Sequence, residues 1–558
     1  MATYVIIGGV AGGASAAARL RRCAEHDEII MFERGNYVSF ANCGLPYYIG
    51  GTIQERNNLL VMTPEMMRSR FHIDVRINSN VIGIDRENKT VTVDCGGEVY
   101  QQKYDKLLLS PGSSPLRPPL PGADGPRVFA VWNIPDTDRI AAYLQKNPCK
   151  RAVVVGGGFI GLEMAENLRE VGLDVSIVEM LPQVMNNVDW EMAQYLHMEL
   201  NSHGVSLYLG EKLEAIENRE NDCLVKLAGG QMLEADLVIM AAGVRPNSEL
   251  ARNAGLELGP RGHIIVDDQM RTSDPDIFAV GDAIEVKDYM TGAKTAVPLA
   301  GPANKQGRLV ADNMLGGCRT YAGTQGTSVA KIFGKTVACT GLSEKRLIAM
   351  GKKLHKDYEV VIGHSNNHAG YYPGATPLHI RVLYELPNGR ILGAQAVGEE
   401  GTEKRIDVVA TCIRYGGVMD DLCSLELAYA PPFNTAKDPV NFAGFIAENI
   451  SAGMVDVMHV CELDSLDPEM YQLVDVRTEA EYAEATIPGS IHLELDAIRE
   501  KLDQLDENKI QVVYCRAGLR SYIAARILVQ HGYRAISLTG GWLSYEAETY
   551  KPVRYHEE

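Results

Sequence analysis

One arrangement constrains the fold of this chain more than any other, because it occurs twice. An apolar strand runs into a glycine-rich turn and a helix, and the next strand ends in an acidic residue. In such a unit the glycines let the backbone approach a pyrophosphate at the helix N-terminus, and the acid binds a ribose hydroxyl. Two copies therefore predict two dinucleotide-binding domains in an α/β fold.

The two copies differ in one position. The first reads Gly-Gly-Val-Ala-Gly-Gly from residue 8, so that Val10 stands where the second motif glycine is expected, whereas the second is a complete GxGxxG from residue 156. The predicted nucleotide contacts are Gly8, Gly9, Gly12, Gly13 and Glu33 in the first copy, and Gly156, Gly158, Gly161 and Glu179 in the second. The carboxylate of Glu179 would repel the extra phosphate of NADPH, and no basic residue immediately follows it, so NADH is favoured and NADPH tolerated.

A single cysteine follows the first copy, in the stretch Ser-Phe-Ala-Asn-Cys-Gly-Leu-Pro-Tyr-Tyr that begins at Ser39. Cys43 has no local partner, because Tyr48 occupies the fifth position after it, where an internal disulfide would need a second cysteine. A lone redox cysteine can cycle through a sulfenic acid, a mixed disulfide or a persulfide. The sulfenic acid route would make the chain an NADH oxidase or a peroxidase.

Two further segments support a flavoenzyme. An apolar strand ends in a small-residue turn at residues 104–112, and Thr-Ser-Asp-Pro-Asp-Ile-Phe-Ala-Val-Gly-Asp-Ala spans residues 272–283. With the two glycine turns, they resemble the pyridine nucleotide–disulfide oxidoreductases, which implies FAD on the first unit and NAD(P)H on the second. The further cofactor contacts that the resemblance implies are Arg34, Val81, Ser110, Gly112, Gly281, Asp282 and Ala300 for FAD, and Gly243 at the end of the second unit.

Within that family, the Cys43 stretch resembles the coenzyme A–disulfide reductases. Ala-Gly-Tyr-Tyr-Pro-Gly-Ala at 369–375 and Leu-Ala-Tyr-Ala-Pro-Pro-Phe at 427–433 recur in the same reductases. The resemblance implies that Tyr371 and Tyr429 reach the thiol of Cys43 from a partner subunit and favour its thiolate, so a homodimer is expected. The implied coenzyme A contacts are Arg19, Arg22, Ser39, Asn42 and Lys437.

The last ninety residues resemble a single-domain rhodanese. Asp-Val-Arg at 475–477, Ile-Pro-Gly-Ser-Ile-His-Leu at 487–493 and the Cys-x4-Arg loop from Cys515 to Arg520 carry this resemblance. Such a loop points backbone N–H groups and a helix N-terminus at one sulfur atom, which lowers the pKa of a thiol and stabilises a persulfide anion. Arg520 is long enough to hold the loop or a sulfur anion. A small phosphatase loop and an inactive binding module remain as alternatives.

Composition sets the remaining limits. The chain has 558 residues and a net charge of −18, which argues against nucleic-acid and anionic-membrane partners. No signal peptide or membrane-length apolar stretch occurs, and the eleven cysteines are scattered without a CxxC pair. A cytoplasmic chain with free thiols and no metal site is expected. The predicted domains are FAD-binding (1–115 and 255–325), NAD(P)H-binding (116–254), α+β dimerisation (326–453), a linker (454–467) and α/β rhodanese (468–558).

These parts combine into one functional hypothesis. NAD(P)H reduces FAD, and reduced flavin passes electrons to Cys43, which attacks a coenzyme A disulfide, coenzyme A persulfide or polysulfide and releases a thiol or sulfide. Cys515 carries sulfane sulfur as a persulfide and passes it to coenzyme A or towards Cys43. An NADH oxidase that cycles Cys43 through a sulfenic acid and a sulfurtransferase relay protein stay open as alternatives.

Overall fold

The computed structural model describes residues 1–555, and the chain divides into two compact units. The first contains Met1–Met180 and Glu211–Gln325, and the second contains Leu181–Gly210 and the chain from Gly326 onward. Among the described residues, no helix combines the length and the apolar character that crossing a bilayer takes. The division into four functional domains stays a prediction.

The α-helices of the described chain follow in sequence order. They are α1 (Ala11–Cys23), α2 (Leu45–Ile49), α3 (Pro64–Phe71), α4 (Ile134–Lys146), α5 (Phe159–Glu170), α6 (Trp190–Ser202), α7 (Glu249–Asn253), α8 (Ala300–Met314), α9 (Glu344–Ala349), α10 (Thr402–Arg414), α11 (Met419–Ser424), α12 (Pro439–Ser451), α13 (Glu479–Glu484), α14 (Leu519–Gln530) and α15 (Gly541–Thr549). Several begin at a side chain that accepts a backbone N–H, which satisfies a donor that the first helical turn leaves unpaired. Asn133 caps α4 and Asp438 caps α12 in this way, each with a proline in the first turn.

The β-strands are mostly short. They are β1 (Thr3–Ile7), β2 (Glu28–Phe32), β3 (Asp74–Arg76), β4 (Asn80–Asp85), β5 (Thr90–Cys95), β6 (Glu98–Lys103), β7 (Lys106–Leu109), β8 (Ser113–Pro115), β9 (Val128–Phe129), β10 (Arg151–Val155), β11 (Asp174–Glu179), β12 (Ser206–Leu209), β13 (Leu213–Asn218), β14 (Cys223–Leu227), β15 (Met232–Ala235), β16 (Leu237–Met240), β17 (Val244–Pro246), β18 (Ile264–Ile265), β19 (Ile277–Ala279), β20 (Ile284–Lys287), β21 (Lys294–Thr295), β22 (Ser328–Ile332), β23 (Lys335–Gly341), β24 (Tyr358–Asn366), β25 (Pro377–Glu385), β26 (Ile391–Gly398), β27 (Asp456–Met458), β28 (Tyr471–Asp475), β29 (Ile491–His492), β30 (Ile510–Tyr514) and β31 (Ala535–Leu538).

The first unit contains two parallel sheets that match the two sequence copies. One has the strand order β19-β7-β1-β2-β3, with β1 paired in parallel to β2 on one side and to β7 on the other. In the other, β10 pairs in parallel with β11 and with β16, and β16 pairs with β9. In each case the chain leaves the central strand towards one neighbour and returns on the other side. The carboxyl ends of β1 and β10 therefore open crevices of the kind in which dinucleotides bind.

The second unit also contains two sheets. Strands β22-β23-β26-β25-β24 form an antiparallel sheet, and α10 and α12 pack against it. Strands β27-β31-β30-β28-β29 form a parallel sheet whose apolar core includes Val474, Val513 and Leu528, all of them fully buried. Helix α14 packs on β30 and β31 and follows the predicted cysteine loop, whereas α15 begins at Gly541, within the Gly540-Gly541-Trp542 segment.

The C-terminal segment of the chain forms hydrogen bonds with α6 and thereby links the parallel sheet to the rest of the second unit. The side chain of Gln194 on α6 donates to the carbonyl of Tyr550 at 2.8 Å. Asn201, also on α6, accepts from the hydroxyl of Tyr550 at 2.8 Å and from the backbone N–H of Val553 at 2.9 Å. The backbone N–H of Leu207 donates to the carbonyl of Val553 at 3.2 Å. The described end of the chain therefore covers α6 with specific polar contacts.

Helix α15 makes a second contact inside the same unit. The hydroxyl of Ser544 donates to Glu191 at 2.6 Å and lies 2.9 Å from Nε2 of His364 on β24. Glu191 also pairs with the buried guanidinium of Arg381 at 3.3 Å. Ser544 and Glu191 are almost completely buried, and buried polar groups are costly unless they are paired. This network therefore fixes how α15 sits on β24 and α6.

The carboxyl group of Glu548, near the end of α15, makes stability depend on pH. Burial and the nearby Glu191 raise the pKa of Glu548 to about 8. A carboxyl pKa raised by folding gives full stability below the unfolded value near 4.5, and that stability is lost as pH rises through the folded value. We expect Glu548→Gln to match wild type at pH 4 and to be more stable at pH 9, by roughly 5 kcal/mol at most.

Thermal unfolding at a series of pH values measures this difference. Glu546→Gln is the matched control, because Glu546 is exposed on the same helix. A melting temperature of Glu548→Gln that tracks wild type from pH 4 to pH 9 would contradict the prediction.

Candidate functional site

The first glycine turn is shaped by close backbone contact between β1 and α1. Gly8 has φ +99°, a left-handed conformation that side chains rarely adopt, and a β-carbon there would overlap the carbonyl oxygen of Ser110. A β-carbon at Gly13 would overlap the carbonyl oxygen of Gly8. Glycine is therefore required at both positions. The N-terminus of α1 lies directly on the end of the strand, where a pyrophosphate would bind.

The second turn repeats this geometry. Gly156 has φ +114°, and a β-carbon at Gly161 would overlap the carbonyl oxygen of Gly156. Gly158 differs, because a β-carbon there would meet no atom within 4 Å. Its backbone is extended, with φ −85° and ψ −171°, and Val10 holds the equivalent place in the first turn with φ −98°. Within the protein itself, the position of Val10 therefore requires neither a left-handed backbone nor close packing.

The two acids lie where the sequence predicts, at the ends of β2 and β11. Glu33 accepts the backbone N–H of Gly9 at 3.1 Å and that of Gly35 at 2.9 Å. Glu179 accepts the backbone N–H of Gly157 at 2.7 Å. Each carboxylate thus stands beside its glycine turn, at the side where a dinucleotide presents its ribose.

The remaining predicted flavin contacts lie in the first unit. The Asp282 carboxylate accepts from the hydroxyl of Ser113 at 2.8 Å, and burial raises its pKa. Gly112 is left-handed, with open space where a side chain would stand. The other contacts take varied positions: Gly12 packs in α1, Arg34 lies over the Trp132 ring, Val81 is buried in β4, Gly281 precedes Asp282, Ala300 begins α8 and Gly243 precedes β17. The open glycine cradles and the buried Asp282 carboxyl fit a bound FAD and a bound pyridine nucleotide.

Cys43 lies in a short 3-10 turn, Asn42–Gly44, just before α2. The segment is held against the first glycine turn, because the backbone N–H of Ser39 donates to the carbonyl of Gly9 at 2.8 Å. All eleven cysteines carry free thiols, and Cys43 is exposed. Although Cys43 is exposed, the surrounding protein partly desolvates its sulfur, and this desolvation, together with the negative charges of Glu163 and Asp282, raises the pKa of Cys43. These groups favour the thiol, so the expected thiolate depends on the flavin and on tyrosine hydroxyls.

Two groups near Cys43 were not singled out from the sequence. The hydroxyl of Tyr47 donates to Glu163 at 3.4 Å, and burial raises the pKa of Glu163 to about 7. Helix α2, which follows Cys43, packs on α5, which carries Glu163. Its position in the sequence is the signal that could have identified Glu163: a carboxylate two residues after the last motif glycine, in a largely buried helix. The arrangement brings a group that can hold a proton near neutral pH close to the thiol.

The predicted coenzyme A contacts are spread over both units. In the first, Arg19 pairs with Asp312 at 2.7 Å, so its charge is already compensated, and Arg22 lies over the ring of Phe71. Ser39 and Asn42 both precede Cys43 in its own segment. In the second unit, Lys437 lies in the turn that leads into α12.

Tyr371 and Tyr429 meet in the second unit. Their hydroxyl oxygens are 2.8 Å apart although 58 residues separate them in sequence, and the hydrogen bond raises the pKa of Tyr371. Both side chains are exposed, Tyr371 to 76%. They form an outward-facing pair of phenols, and the predicted reach to Cys43 of a partner subunit stays a prediction.

Cys515 lies where β30 meets α14. The residue is 2% exposed, and its sulfur accepts the backbone N–H of Gly518 at 3.1 Å. The backbone N–H of Trp542 donates to the carbonyl of Cys515 at 2.8 Å, which ties the loop to the start of α15. The buried pair of Asp475 and Arg477, at 2.6 Å, stands beside it, with the guanidinium over the Trp542 ring. The loop directs a backbone donor at one sulfur, as its sequence predicts.

Arg520 makes a contact that the sequence did not indicate. Its two terminal nitrogens each donate to one oxygen of Glu481 at 2.7 Å, which joins α14 to α13. This pair lowers the pKa of Glu481 to about 2. In this structure the guanidinium is thus directed to a carboxylate, and its role towards a sulfur anion stays a prediction.

Comparison with known proteins identifies the family. A model described as pyridine nucleotide-disulphide oxidoreductase matches residues 2–307, and the dimerisation domain of the same family matches residues 327–439. The chain belongs to the pyridine nucleotide-disulphide oxidoreductases. A rhodanese-like domain matches residues 463–548. The predicted fold class is confirmed. The protein is a flavoprotein disulfide oxidoreductase with a rhodanese domain, its family implies FAD and NAD(P)H, and its dimerisation domain suggests a homodimer.

Three similar proteins carry names that bear on function. Coenzyme A disulfide reductase of Staphylococcus haemolyticus is 35% identical over 453 residues, which cover 81% of this chain and all of that protein. Reduced CoADR-RHD of Bacillus anthracis is 47% identical with a TM-score of 0.95, and the match covers 99% of each chain. A NAD-dependent persulfide reductase from A. fulgidus is 36% identical with a TM-score of 0.91, covering 97% of this chain and all of that one.

The geometry of the second glycine turn gives a paired prediction. We expect Gly161→Ala to destabilise the NAD(P)H-binding region by at least about 2 kcal/mol, because the new methyl group would overlap the Gly156 carbonyl. Gly158→Ala has open space for its methyl group, so its melting temperature should match wild type. Its NADH affinity should fall, because the methyl group stands where the pyrophosphate approaches. Thermal unfolding and NADH titration distinguish the two, and equal melting temperatures would refute the close contact.

Proposed function

We propose that this flavoprotein reductase uses NAD(P)H to reduce coenzyme A disulfide and coenzyme A persulfide or polysulfide through Cys43. Sulfane sulfur is handled by Cys515 of the rhodanese domain. The observation that carries the proposal is a lone thiol, Cys43, in a segment that hydrogen-bonds to the first glycine turn, with Tyr48 in place of a second cysteine. The names of the similar reductases support it.

The first chemical step uses Cys43 as a nucleophile. Its thiolate attacks one sulfur of coenzyme A disulfide, a mixed disulfide forms, and the other coenzyme A leaves as a thiolate that takes up a proton. Coenzyme A persulfide carries an outer sulfur on the thiol sulfur of coenzyme A. Attack of Cys43 on the inner sulfur forms the same mixed disulfide and releases the outer sulfur as hydrosulfide. Cys43 would return to the thiolate, and coenzyme A would be freed, with an electron pair that FAD and NAD(P)H would supply when bound. Glu163 can hold the proton that the departing thiolate needs.

Coenzyme A is proposed to bind through positively charged and polar side chains. The positive charges of Arg22 and Lys437 attract its phosphates, and Ser39 and Asn42 shortly precede the reactive thiol in sequence. Tyr371 and Tyr429 of a partner subunit supply hydroxyl donors that favour the thiolate over the thiol. A homodimer therefore completes the site.

The rhodanese step is proposed to load sulfur onto the same substrate. Cys515 carries a terminal sulfur as a persulfide, which the N–H of Gly518 and the N-terminus of α14 stabilise. A coenzyme A thiolate attacks that outer sulfur, coenzyme A persulfide forms, and the Cys515 thiolate is released. A rhodanese domain has no task in reducing a simple disulfide, so its presence favours sulfane substrates.

Single serine variants of the two cysteines test this division of work. Cys43→Ser should lose at least about 99% of NADH-dependent reduction of both coenzyme A disulfide and coenzyme A persulfide, because no other thiol can form the mixed disulfide. Cys515→Ser should keep both activities but lose sulfur transfer to coenzyme A. NADH consumption, thiol release and sulfide release are measured with each substrate. Cys223→Ser, which alters a buried thiol of the first unit, is the control.

The same measurements decide between the alternatives. Full coenzyme A disulfide activity in Cys43→Ser would refute the central proposal. Rapid NADH-driven oxygen consumption by wild type without any sulfur substrate, lost in Cys43→Ser, would indicate a water-forming oxidase that cycles through a sulfenic acid. Sulfur transfer without NADH oxidation would indicate a relay protein.

The choice of pyridine nucleotide is proposed to depend on Glu179. Its carboxylate is held beside the turn by Gly157 and would repel the 2′-phosphate of NADPH, whereas Met180 is exposed next to it. We expect Glu179→Ala combined with Met180→Arg to raise the ratio of kcat/KM for NADPH to that for NADH at least tenfold. Steady-state kinetics measure the ratio, and Glu170→Ala, at the exposed end of α5, should leave it unchanged. An unchanged ratio in the double variant would refute the role of Glu179.

A further inference from the structure

Four side chains, two histidines and two glutamates, meet in the second unit. His355 lies in the turn just before β24, and Glu359 is the second residue of that strand. His459 and Glu462 lie about a hundred residues later, around the 3-10 turn Val460–Ser465. Nδ1 of His355 is 2.6 Å from one oxygen of Glu359, and Nε2 of His459 is 2.9 Å from the other. The cluster therefore joins the antiparallel sheet to the segment that leads into the rhodanese domain.

The facing atoms form a ligand set for a metal ion. One ligand atom from each of His355, Glu359 and His459 lies within 4.8 Å of the other two. Ligands of a tetrahedral zinc ion at about 2.0–2.1 Å stand roughly 3.4 Å apart, so opening the two hydrogen bonds by less than about 1 Å admits an ion. Two imidazole nitrogens and one carboxylate oxygen favour a borderline transition metal such as Zn²⁺ over Mg²⁺ or Ca²⁺.

The surroundings also match those of a metal site. Glu462 contacts Nε2 of His355 at 3.1 Å, so a carboxylate stands behind the ring nitrogen that faces away from the cluster. That arrangement orients a ligating imidazole and raises its basicity. Glu359 and His459 are buried, whereas the side chain of His355 is 37% exposed and leaves a path for an ion from solvent. The two carboxylates, Glu359 and Glu462, together supply the two negative charges that balance one divalent cation.

We propose that His355, Glu359 and His459 bind one Zn²⁺-class ion, with Glu462 as the group that positions His355. The fourth position faces solvent and takes water. The ion would cross-link β24 and the segment before the rhodanese domain. These two segments are distant in sequence and adjacent within the second unit. The proposal is independent of the reductase chemistry.

Zinc content of the full-length flavoprotein tests the proposal. The protein is treated with EDTA and a phosphine reductant, dialysed against Zn²⁺ at pH 7.5 and then against zinc-free buffer, and its metal is counted by mass spectrometry. Because thiols also bind zinc, the result is a difference between variants: wild type should keep one equivalent more than His355→Gln. His26→Gln, an exposed histidine of the first unit, and Cys461→Ser, the thiol between His459 and Glu462, should match wild type. Equal zinc in wild type and His355→Gln, or its loss only in Cys461→Ser, would overturn the proposal.

Two further readouts keep the test independent of metal counting. Co²⁺ should give the visible absorption of a tetrahedral site in wild type and in Cys461→Ser, but not in His355→Gln. Zn²⁺ should raise the melting temperature of wild type by several degrees and leave that of His355→Gln unchanged. His355 is partly exposed, so circular dichroism should show this variant folded. If Zn²⁺ shifts neither protein, the four groups form an ionic network without a metal and the proposal fails.

Discussion

Two backbone contacts determine much of the first unit. The first turn of α1 approaches the carbonyl of Gly8, and the first turn of α5 approaches that of Gly156, more closely than any side chain would permit. Each contact aims a helix N-terminus, with its unpaired N–H groups, at the open end of a parallel sheet. The acids Glu33 and Glu179 then bond to the same turns. The segment of Cys43 also depends on the first contact, because Ser39 donates to the carbonyl of Gly9.

Local spacing explains what the sequence could predict. Gly8 and Gly13 are five residues apart, the acids follow the next strand, and the Cys515 loop lies between one strand and one helix, so each pattern stays within a single supersecondary unit. The relation between Tyr371 and Tyr429 needed more than spacing, and the family resemblance supplied it. In the structure the two hydroxyls meet, although they belong to segments separated by two strands and two helices.

Long-range packing explains what the sequence could not predict. Tyr47 meets Glu163 only because α2 packs on α5, and nothing in either segment indicates the other. The partner of Arg520 is similarly hidden, because Glu481 lies in a helix that precedes the loop by more than thirty residues. The sequence predicted no metal site because it has no paired-cysteine motif, whereas the proposed ligands come from two distant segments and include no thiol. Helix α6 falls within the predicted NAD(P)H-binding range yet groups with the second unit.

The contacts of α6 bear on how this chain can change during evolution. Tyr550 and Val553 satisfy the polar groups of Gln194 and Asn201, which are buried beneath the C-terminal segment. A premature stop codon shortly before Tyr550 would leave the Cys515 loop intact while uncovering a helix encoded more than three hundred codons upstream. Selection for a folded protein therefore extends to these C-terminal codons. Deleting the codons for the rhodanese domain would also remove the residues that cover α6.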